Sequence, residues 1–199
     1  MLDLEVLIDA PVTALELHEL EVTPPRPDFD QEVADAEREV ADGLVAGVED
    51  ARALYRRFGV DPTRHRPSSE ALLRRVRRGE GLPRVNSLVD VANVVSLRGQ
   101  VPVGLYDLAL VEGTLEVRLG LEGETYPGIG KEAVNVAGRI CVADALGPCG
   151  NPSADSARTR ITTATERAAW VFFLPVGEAQ VHRTAELVAR YGRGLVRRA

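Results

Sequence analysis

Cysteine, histidine and lysine are all scarce in this chain of 199 residues. Cys141 and Cys149 have no further cysteine or histidine at ligand spacing, and the three histidines are scattered, so the sequence indicates neither a metal site nor a cofactor. We expect both thiols to be reduced and packed inside the fold. Lysine occurs once, at Lys131, and the other 23 of the 24 basic residues are arginines, which we interpret as a composition bias.

Long apolar runs are also missing. No stretch reaches the roughly 18 consecutive apolar residues of a membrane-spanning helix. The N-terminus, MLDLEVLIDAP, contains acidic residues and lacks the basic region of a signal peptide. We therefore expect a cytoplasmic protein with no membrane partner. A hydrophobic share of 45% with 27% charged residues is typical of soluble globular proteins, and the length predicts a single domain over residues 1–199.

Charge is distributed unevenly along the chain, although the net charge is only −6. Residues 1–50 contain 15 acidic and 2 basic residues, whereas residues 51–84 contain 10 arginines and 3 acidic residues. Such asymmetry is consistent with contact to nucleic acid. It is equally consistent with an acidic helix that neutralises a basic one within the fold, and the overall acidity works against strong phosphate binding.

The periodicity predicts mixed secondary structure without the regular alternation of strand and helix that a doubly wound fold requires. The N-terminal part, residues 1–65, contains strands and helices, and residues 176–199 are predicted to form a helix. A basic helix capped by Ser68 and Ser69 ends at Gly79. The other predicted elements are strands at 2–8 and 14–22, helices at 30–48 and 49–58, and short strands in VPVGLYDL, TLEVRLGLEGE, RICVADA and AWVFFLP.

Residues 82–107 form the most informative segment, a helix that is apolar nearly all round and is therefore expected to be buried. Asn86, Asp90 and Asn93 lie on one stripe of it, because steps of four and three return to the same helix face. Buried polar groups need hydrogen-bond partners. The stripe therefore either holds backbone, with Asn86 or Ser87 as the N-cap of the helix, or lines a cavity.

Two further motifs allow competing interpretations. Residues 128–131, Gly-Ile-Gly-Lys, lack the spacing of a phosphate-binding loop and favour a turn between strands. Residues 153–165 combine several hydroxyl side chains with two arginines directly before an apolar strand. This run is suited either to binding a carboxylate, phosphate or ribose, or to capping and solvating a helix end.

Taken together, these segments resemble the editing region of the bacterial phenylalanyl-tRNA synthetase beta subunit, its third and fourth domains. The resemblance covers residues 66–175. Ser156 to Thr165 are similar to the family's stretch of serine and threonine before a strand, and 140–144 to one of its strands. The residues that match the family's first block in order are Leu88-Val89-Asp90, Asn93-Val94-Val95, Gly99-Gln100, Pro102 and Tyr106-Asp107-Leu108.

The resemblance implies an α+β fold with a sandwich-like sheet flanked by helices. In the family this domain binds the misattached tyrosine of a tRNA and hydrolyses the ester, so we expect a stand-alone homologue of that editing domain. Three family positions differ. The pocket histidine falls on Gly104, the glutamate that reads the tyrosine hydroxyl falls near Val171, and the opening arginine falls near Pro83, with Arg84 one place away. Tyrosine specificity is therefore not implied.

The leading hypothesis is that the protein binds an aminoacyl group, with mischarged tRNA as partner, and hydrolyses the ester in trans. The alternatives are a non-catalytic module that binds a free amino acid or similar small molecule, and a purely structural interaction domain. Asn86 and Asp90 are predicted to be structural. The predicted substrate-binding residues are Arg84, Asn93, Gly104, Ser156, Thr159 and Thr162, and the predicted RNA-binding residues are Arg74, Arg75, Arg77 and Arg78.

Overall fold

Helices and short strands share the chain in the computed structural model, which describes residues 2–45 and 47–198. The helices are α1 (Asp30–Ala41), α2 (Glu49–Arg57), α3 (Ser68–Arg77), α4 (Ser87–Gly99) and α5 (Glu178–Leu187). The strands are β1 (Leu4–Val6), β2 (Thr13–His18), β3 (Val103–Asp107), β4 (Leu115–Leu119), β5 (Thr125–Gly128), β6 (Lys131–Asn135), β7 (Ile140–Asp144), β8 (Gly147–Asn151), β9 (Ala154–Asp155), β10 (Ala168–Phe172) and β11 (Leu195–Arg198). This mixture confirms the predicted α+β class.

The strands form two sheets and a hairpin. The first sheet has the order β1-β4-β7-β8-β9, and the second has the order β11-β2-β10-β3. Only the pairing of β1 with β4 is parallel among the pairings of the described strands. The hairpin of β5 and β6 turns at Gly130, whose φ of 69° is left-handed, and this confirms the turn predicted at 128–131. The sheets approach each other where β3 contacts β8 and β9.

Helix α4 lies at the centre of the helical layer. It contacts α1, α3 and α5, and it also contacts β3. Its apolar side chains are buried on several sides, as expected for a helix that lacks a polar face. Asn86 is its N-cap, and the side-chain oxygen of Asn86 accepts a hydrogen bond of 2.9 Å from the Val89 N–H. The Ser87 hydroxyl instead accepts from the Thr23 N–H at 3.1 Å.

Strand β2 lies between β11 and β10, and its residues 13–17 are all buried, so both of its faces are covered as well as both of its edges. The alternation of its sequence therefore brings Glu16 into the interior, where the residue is only 2% exposed. Burial pushes the pKa of Glu16 upward, but a hydrogen bond from Arg167 and the charge of His18 bring it below its usual value. The Arg167 guanidinium lies 2.7 Å from the carboxylate, so the buried charge is compensated.

Two predicted helices extend too far. The acidic helix ends at Ala41, short of residue 48, and Gly43 follows with a left-handed φ of 72°. The helix predicted over 176–199 ends at Leu187 and passes through one π-helical turn, after which 195–198 form β11. Pairing with the open edge of β2 provides the tail with backbone hydrogen bonds that a short, solvated helix end lacks.

The predicted serine cap of α3 is wrong. Pro67 occupies the N-cap position, no side chain caps the helix, and Ser68 and Ser69 belong to its first turn. The Ser68 N–H donates instead to the Pro152 carbonyl at 2.9 Å. The backbone of the β8–β9 turn therefore replaces the side-chain cap and joins α3 to the first sheet.

Cys141 and Cys149 are both buried and unbridged. Burial raises the pKa of Cys141 to about 11 and that of Cys149 to about 12, so both remain thiols at neutral pH. Across residues 2–45 and 47–198, no cluster of three or more histidine, cysteine or acidic side chains is arranged to hold a metal ion. In the same part of the chain, no helix combines the length and the apolar character needed to cross a membrane.

Arginines from other elements neutralise the acidic α1. Arg98 of α4 donates hydrogen bonds of 2.8 Å to both Glu32 and Glu39, and Arg84 pairs with Asp30. The acidic helix is therefore paired internally, but with Arg98 and Arg84, whereas the α3 arginines that form ion pairs in the described part of the chain do so with Glu80.

The carboxylate of Asp90 connects the start of α4 to the segment before it. One oxygen accepts from the Val85 N–H at 2.7 Å, and the other accepts from Arg84 Nε at 2.7 Å. Arg84 in turn donates to the Arg26 carbonyl at 2.9 Å and pairs with Asp30 of α1. A single buried carboxylate therefore joins α4, the 83–86 segment and α1.

We expect Asp90→Ala to lower the free energy of unfolding by about 3 kcal/mol, because it removes one partner of a buried pair and two hydrogen bonds. Asp35, which is partly exposed and pairs with Arg38 on the surface of α1, is a matched control. Asp35→Ala is expected to cost less than about 1 kcal/mol. Urea denaturation of both variants measures the difference, and equal losses would contradict the structural role of Asp90.

Candidate functional site

A cleft of about 690 Å³, here called the main cleft, opens between α3, α4, the edge strand β3 and the β9 region. This volume lies within the range of small-molecule binding sites, about 300–1,000 Å³. Its wall is largely apolar. The apolar side chains that line it are Ala71, Leu72, Pro83, Val85, Val89, Ala92, Val103, Leu105, Ile129, Ala154 and Ile161.

One face of α4 provides a wall of the main cleft. Val89, Ala92, Asn93 and Ser96 all line it, because steps of three and four residues keep side chains on the same side of a helix. Asn93 donates from Nδ2 to the Pro83 carbonyl at 3.3 Å. The Ser96 hydroxyl donates to the Val101 carbonyl at 2.7 Å. The polar stripe of the sequence thus both binds backbone and lines a cavity.

Asp155 of β9 lies in the wall of the main cleft and was not among the predicted site residues. Burial raises the pKa of its carboxyl group to about 7, and the backbone N–H of Leu105 partly opposes this increase. Its Oδ1 has no hydrogen-bond partner among the described residues, and neither has the buried hydroxyl of Tyr106. A perturbed carboxyl group in a cleft is a candidate functional group.

The hydroxyl-rich run contributes to the main cleft through only part of its length. Thr162 and Thr163 line the cleft, together with Arg160. Ser156 and Thr159 do not line it. Both are almost fully buried, and their hydroxyls donate to the Pro127 and Cys149 carbonyls, each at 3.3 Å. The structure therefore divides this run into a cleft-lining part and a part that binds backbone.

Arg84 and Gly104 are also absent from the cleft lining. Arg84 is held by Asp90, Asp30 and the Arg26 carbonyl, so its guanidinium is engaged within the fold. A Cβ atom placed on Gly104 would lie 2.4 Å from the Tyr106 hydroxyl oxygen. The space beside Gly104 is therefore filled by the Tyr106 side chain.

Gly104 and Val171, two of the three positions at which the resemblance implies a departure from the family pattern, are partners in the sheet. They lie opposite each other in the β3–β10 register. Side chains alternate along a strand, so these two positions face away from the cleft-lining Val103 and Leu105. The main cleft and the Gly104–Val171 pair thus lie on opposite faces of the second sheet.

The predicted RNA-binding arginines on α3 fall into two groups. Arg75 lines the main cleft and donates to the Gly81 carbonyl at 2.8 Å, and Arg78 is bound to Glu80 at 2.6 Å. Arg74 and Arg77 are exposed, and no ion pair holds them among the residues that the structure describes.

These features define the class of protein: a mixed α+β domain with an apolar cleft at the edge of a sheet. Residues 50–191 match the family model described as the B3/4 domain, and the chain belongs to that family. This finding confirms the domain type that the resemblance indicated, over a longer range than residues 66–175.

The chain is also similar to a solved structure, an N-terminal fragment of the phenylalanyl-tRNA synthetase beta subunit from Pyrococcus horikoshii. The identity is 13% and the TM-score is 0.48, over 98% of this chain and 50% of that one. This protein thus spans half the length of that fragment. A comparison with curated proteins found no match.

We expect Gly104→Ala to destabilise the protein by about 3 kcal/mol, because the added methyl group collides with the Tyr106 hydroxyl in a packed interior. Combining it with Tyr106→Phe removes the nearest colliding atom and is expected to recover part of that loss. Thermal or urea unfolding of the two single variants and the double variant measures the coupling. Strictly additive losses would show that the two residues do not compete for the same space.

We expect Asp155→Asn to stabilise the protein at pH 8 more than at pH 5. The folded-state pKa of about 7 lies above the ordinary value of 3.8, so the folded form retains a proton that the unfolded form loses. Stability from the neutral acid therefore decreases as pH rises from about 4 to about 7. Denaturant midpoints at the two pH values measure the difference between the variant and the parent protein.

Asp144 is the control, because its pKa is shifted in the opposite direction to that of Asp155. Burial acts to raise its pKa, but hydrogen bonds from Arg158 and from two backbone N–H groups hold the pKa below the ordinary value. Asp144→Asn should accordingly lose more stability at neutral than at acid pH. The same pH trend in both variants would contradict the assignment of Asp155.

Proposed function

We propose that the main cleft binds the aminoacyl group of an aminoacyl-tRNA and that the protein hydrolyses the ester bond. The observation that carries this proposal is Asp155, a carboxyl group of near-neutral pKa in the wall of an apolar cleft of about 690 Å³. The membership in the B3/4 family and the resemblance to a synthetase editing region support aminoacyl-ester chemistry for the domain as a whole. Its placement in the main cleft rests on Asp155 and the cleft lining alone, because Gly104 and Val171 face the other side of the sheet.

The lining of the cleft favours an amino acid with an apolar side chain. Val89, Val103 and Leu105 offer dispersion contacts and no hydrogen bonds to a side chain that they surround. Asn93 and Thr162 are our candidates for polar contacts to the aminoacyl group. A tyrosine specificity is not proposed, because the family's two pocket positions, Gly104 and Val171, face the other side of the sheet.

Ester hydrolysis requires a water molecule to be activated, and Asp155 is our candidate general base. A base works best when its pKa is close to the working pH, since a useful fraction is then ionised and still basic. In the proposed reaction the water oxygen attacks the ester carbonyl carbon while the carboxylate takes its proton. The bond to the ribose oxygen then breaks, and that oxygen leaves with the proton as a hydroxyl group.

The tRNA would lie along the exposed face of α3. Arg74 and Arg77 are exposed cations on this helix, and the same helix provides Leu72 and Arg75 to the main cleft. Phosphate groups of RNA are bound by such arginines through charge and hydrogen bonds. Arg75 and Arg78 remain candidates that would first have to leave Glu80.

The second candidate function is a non-catalytic module that binds a free amino acid or a similar small molecule. The shielding of Asp155 Oδ1 from solvent favours it, since a general base has to reach its water. The internal hydrogen bonds of Ser156 and Thr159 favour it as well, because they leave fewer polar groups for a reacting ester.

Deacylation of a panel of mischarged tRNAs tests the two functions. We expect turnover on tRNAs that carry apolar amino acids, with a rate that rises with pH through about 7 as Asp155 ionises. Asp155→Asn should lower the rate about 100-fold and leave tRNA binding unchanged. Asp35→Asn, on the exposed surface of α1, is the matched control and should retain full activity.

A rate no faster than spontaneous hydrolysis on every tRNA would reject the enzymatic proposal. If free amino acids then raise the unfolding temperature and tRNA does not, the binding module is the correct function.

A further inference from the structure

A second cavity, here called the arginine pocket, lies next to the main cleft and has a volume of about 280 Å³. It opens between α2, the loop that leads to α3, and the turn between β8 and β9. Tyr55 and Phe58 form an aromatic part of its wall. Arg64, Arg66 and Arg139 also line the pocket and give it positive charge.

The cations of the arginine pocket outnumber their acidic partners. Arg64 lies 3.7 Å from Asp61, and Arg66 lies 3.3 Å from Glu70. Glu70 already accepts hydrogen bonds from Nε and Nη2 of Arg52, at 2.8 and 2.7 Å, so Arg66 shares a carboxylate that another arginine binds.

Arg139 differs from Arg64 and Arg66 in its partner. No carboxylate pairs with it among the residues that the structure describes, and its guanidinium lies 3.1 Å from Nδ1 of His65. Burial lowers the pKa of His65, the charges of Arg139 and Arg64 lower it further, and only Asp61 acts in the opposite direction. A guanidinium can only donate, so Nδ1 of His65 accepts the hydrogen bond of Arg139, and the two groups lie side by side in the wall of the pocket.

The wall between the two cavities is fixed by hydrogen bonds. The Ser153 hydroxyl donates to the Arg66 carbonyl at 2.7 Å and lies 2.5 Å from the Tyr55 hydroxyl. Ala71, Ser153 and Ala154 line both cavities, so they belong to a common wall. The arginine pocket is thus formed in advance, which lowers the entropic cost of binding.

We propose that the arginine pocket binds the phosphate group of a nucleotide. A phosphate oxygen can accept hydrogen bonds from two guanidinium groups at once, and arginine forks match this geometry. The aromatic wall of Tyr55 and Phe58 suits the nucleoside that carries the phosphate. This site goes beyond the proposed function, because it does not depend on what the main cleft binds.

Nuclear magnetic resonance of the histidine rings tests the proposal with three probes: inorganic phosphate, adenosine 5′-monophosphate and a short single-stranded RNA. His65→Gln identifies the His65 signals among those of the three histidines. Because a bound phosphate brings negative charge next to His65, we expect its pKa to rise when the nucleotide binds. Tighter binding of the monophosphate would indicate a free nucleotide as ligand, and tighter binding of the RNA would indicate an RNA end.

Arg139→Gln is expected to weaken nucleotide binding about tenfold in calorimetric titrations, because it removes one charge-assisted contact. Arg139→Lys, which keeps the charge, should recover part of the affinity. Arg193→Gln is the matched control, since Arg193 pairs with Glu21 on another surface, and it should bind like the parent protein. An unchanged unfolding temperature of Arg139→Gln excludes loss of the fold as the cause.

Absence of a His65 response to all three probes, a response to inorganic phosphate alone, or equal weakening by Arg139→Gln and Arg193→Gln would overturn the proposal. These results are distinguishable from a failure of the deacylation experiment, which reports on Asp155 and the main cleft.

Discussion

The rest of the structure depends on the interaction of the buried Asp90 carboxylate with Arg84 and the Val85 N–H. Helix α4 is surrounded by other helices and by β3, so a charge near its start requires partners inside the protein. Asp90 obtains them from Arg84 and from the backbone of Val85, and Arg84 extends the network to α1. The 83–86 segment held in this way forms part of the wall of the main cleft. The shape of the cleft therefore depends on an ion pair as well as on apolar packing.

A second constraint acts between the sheets, where Tyr106 projects from β3. Its ring and hydroxyl occupy the space that a side chain at Gly104 or at Gly150 would need. Two glycines on strands of different sheets and one buried tyrosine are thus parts of one packing arrangement. Gly104 appears in the sequence as the loss of a family histidine, but in the structure it is the condition for burying Tyr106. A side chain at position 104 has no room beside Tyr106, which a sequence motif does not show.

Sequence reasoning was most successful where local chemistry decides the structure. The burial of α4, its Asn86 cap and the turn at 128–131 follow from periodicity and residue type. The predictions were wrong where partners distant in the chain decide the local structure. Strand β11 forms because β2 has an open edge, and the Pro152 carbonyl accepts from the Ser68 N–H where a serine cap of α3 was predicted. Asp155 could not be found in this way, since its pKa depends on burial by strands far away along the chain. The two cavities likewise exist only through tertiary contacts.

The hydrogen-bonded wall that contains Ser153 separates the two cavities. Its hydrogen bonds to the α2 side chain Tyr55 and to the backbone of Arg66 tie three separate parts of the chain together. A molecule that occupied both cavities would have to span this hydrogen-bonded wall. The wall would then select ligands by length. A ligand whose two ends are connected by too short or too long a segment could fill one cavity or the other, but not both.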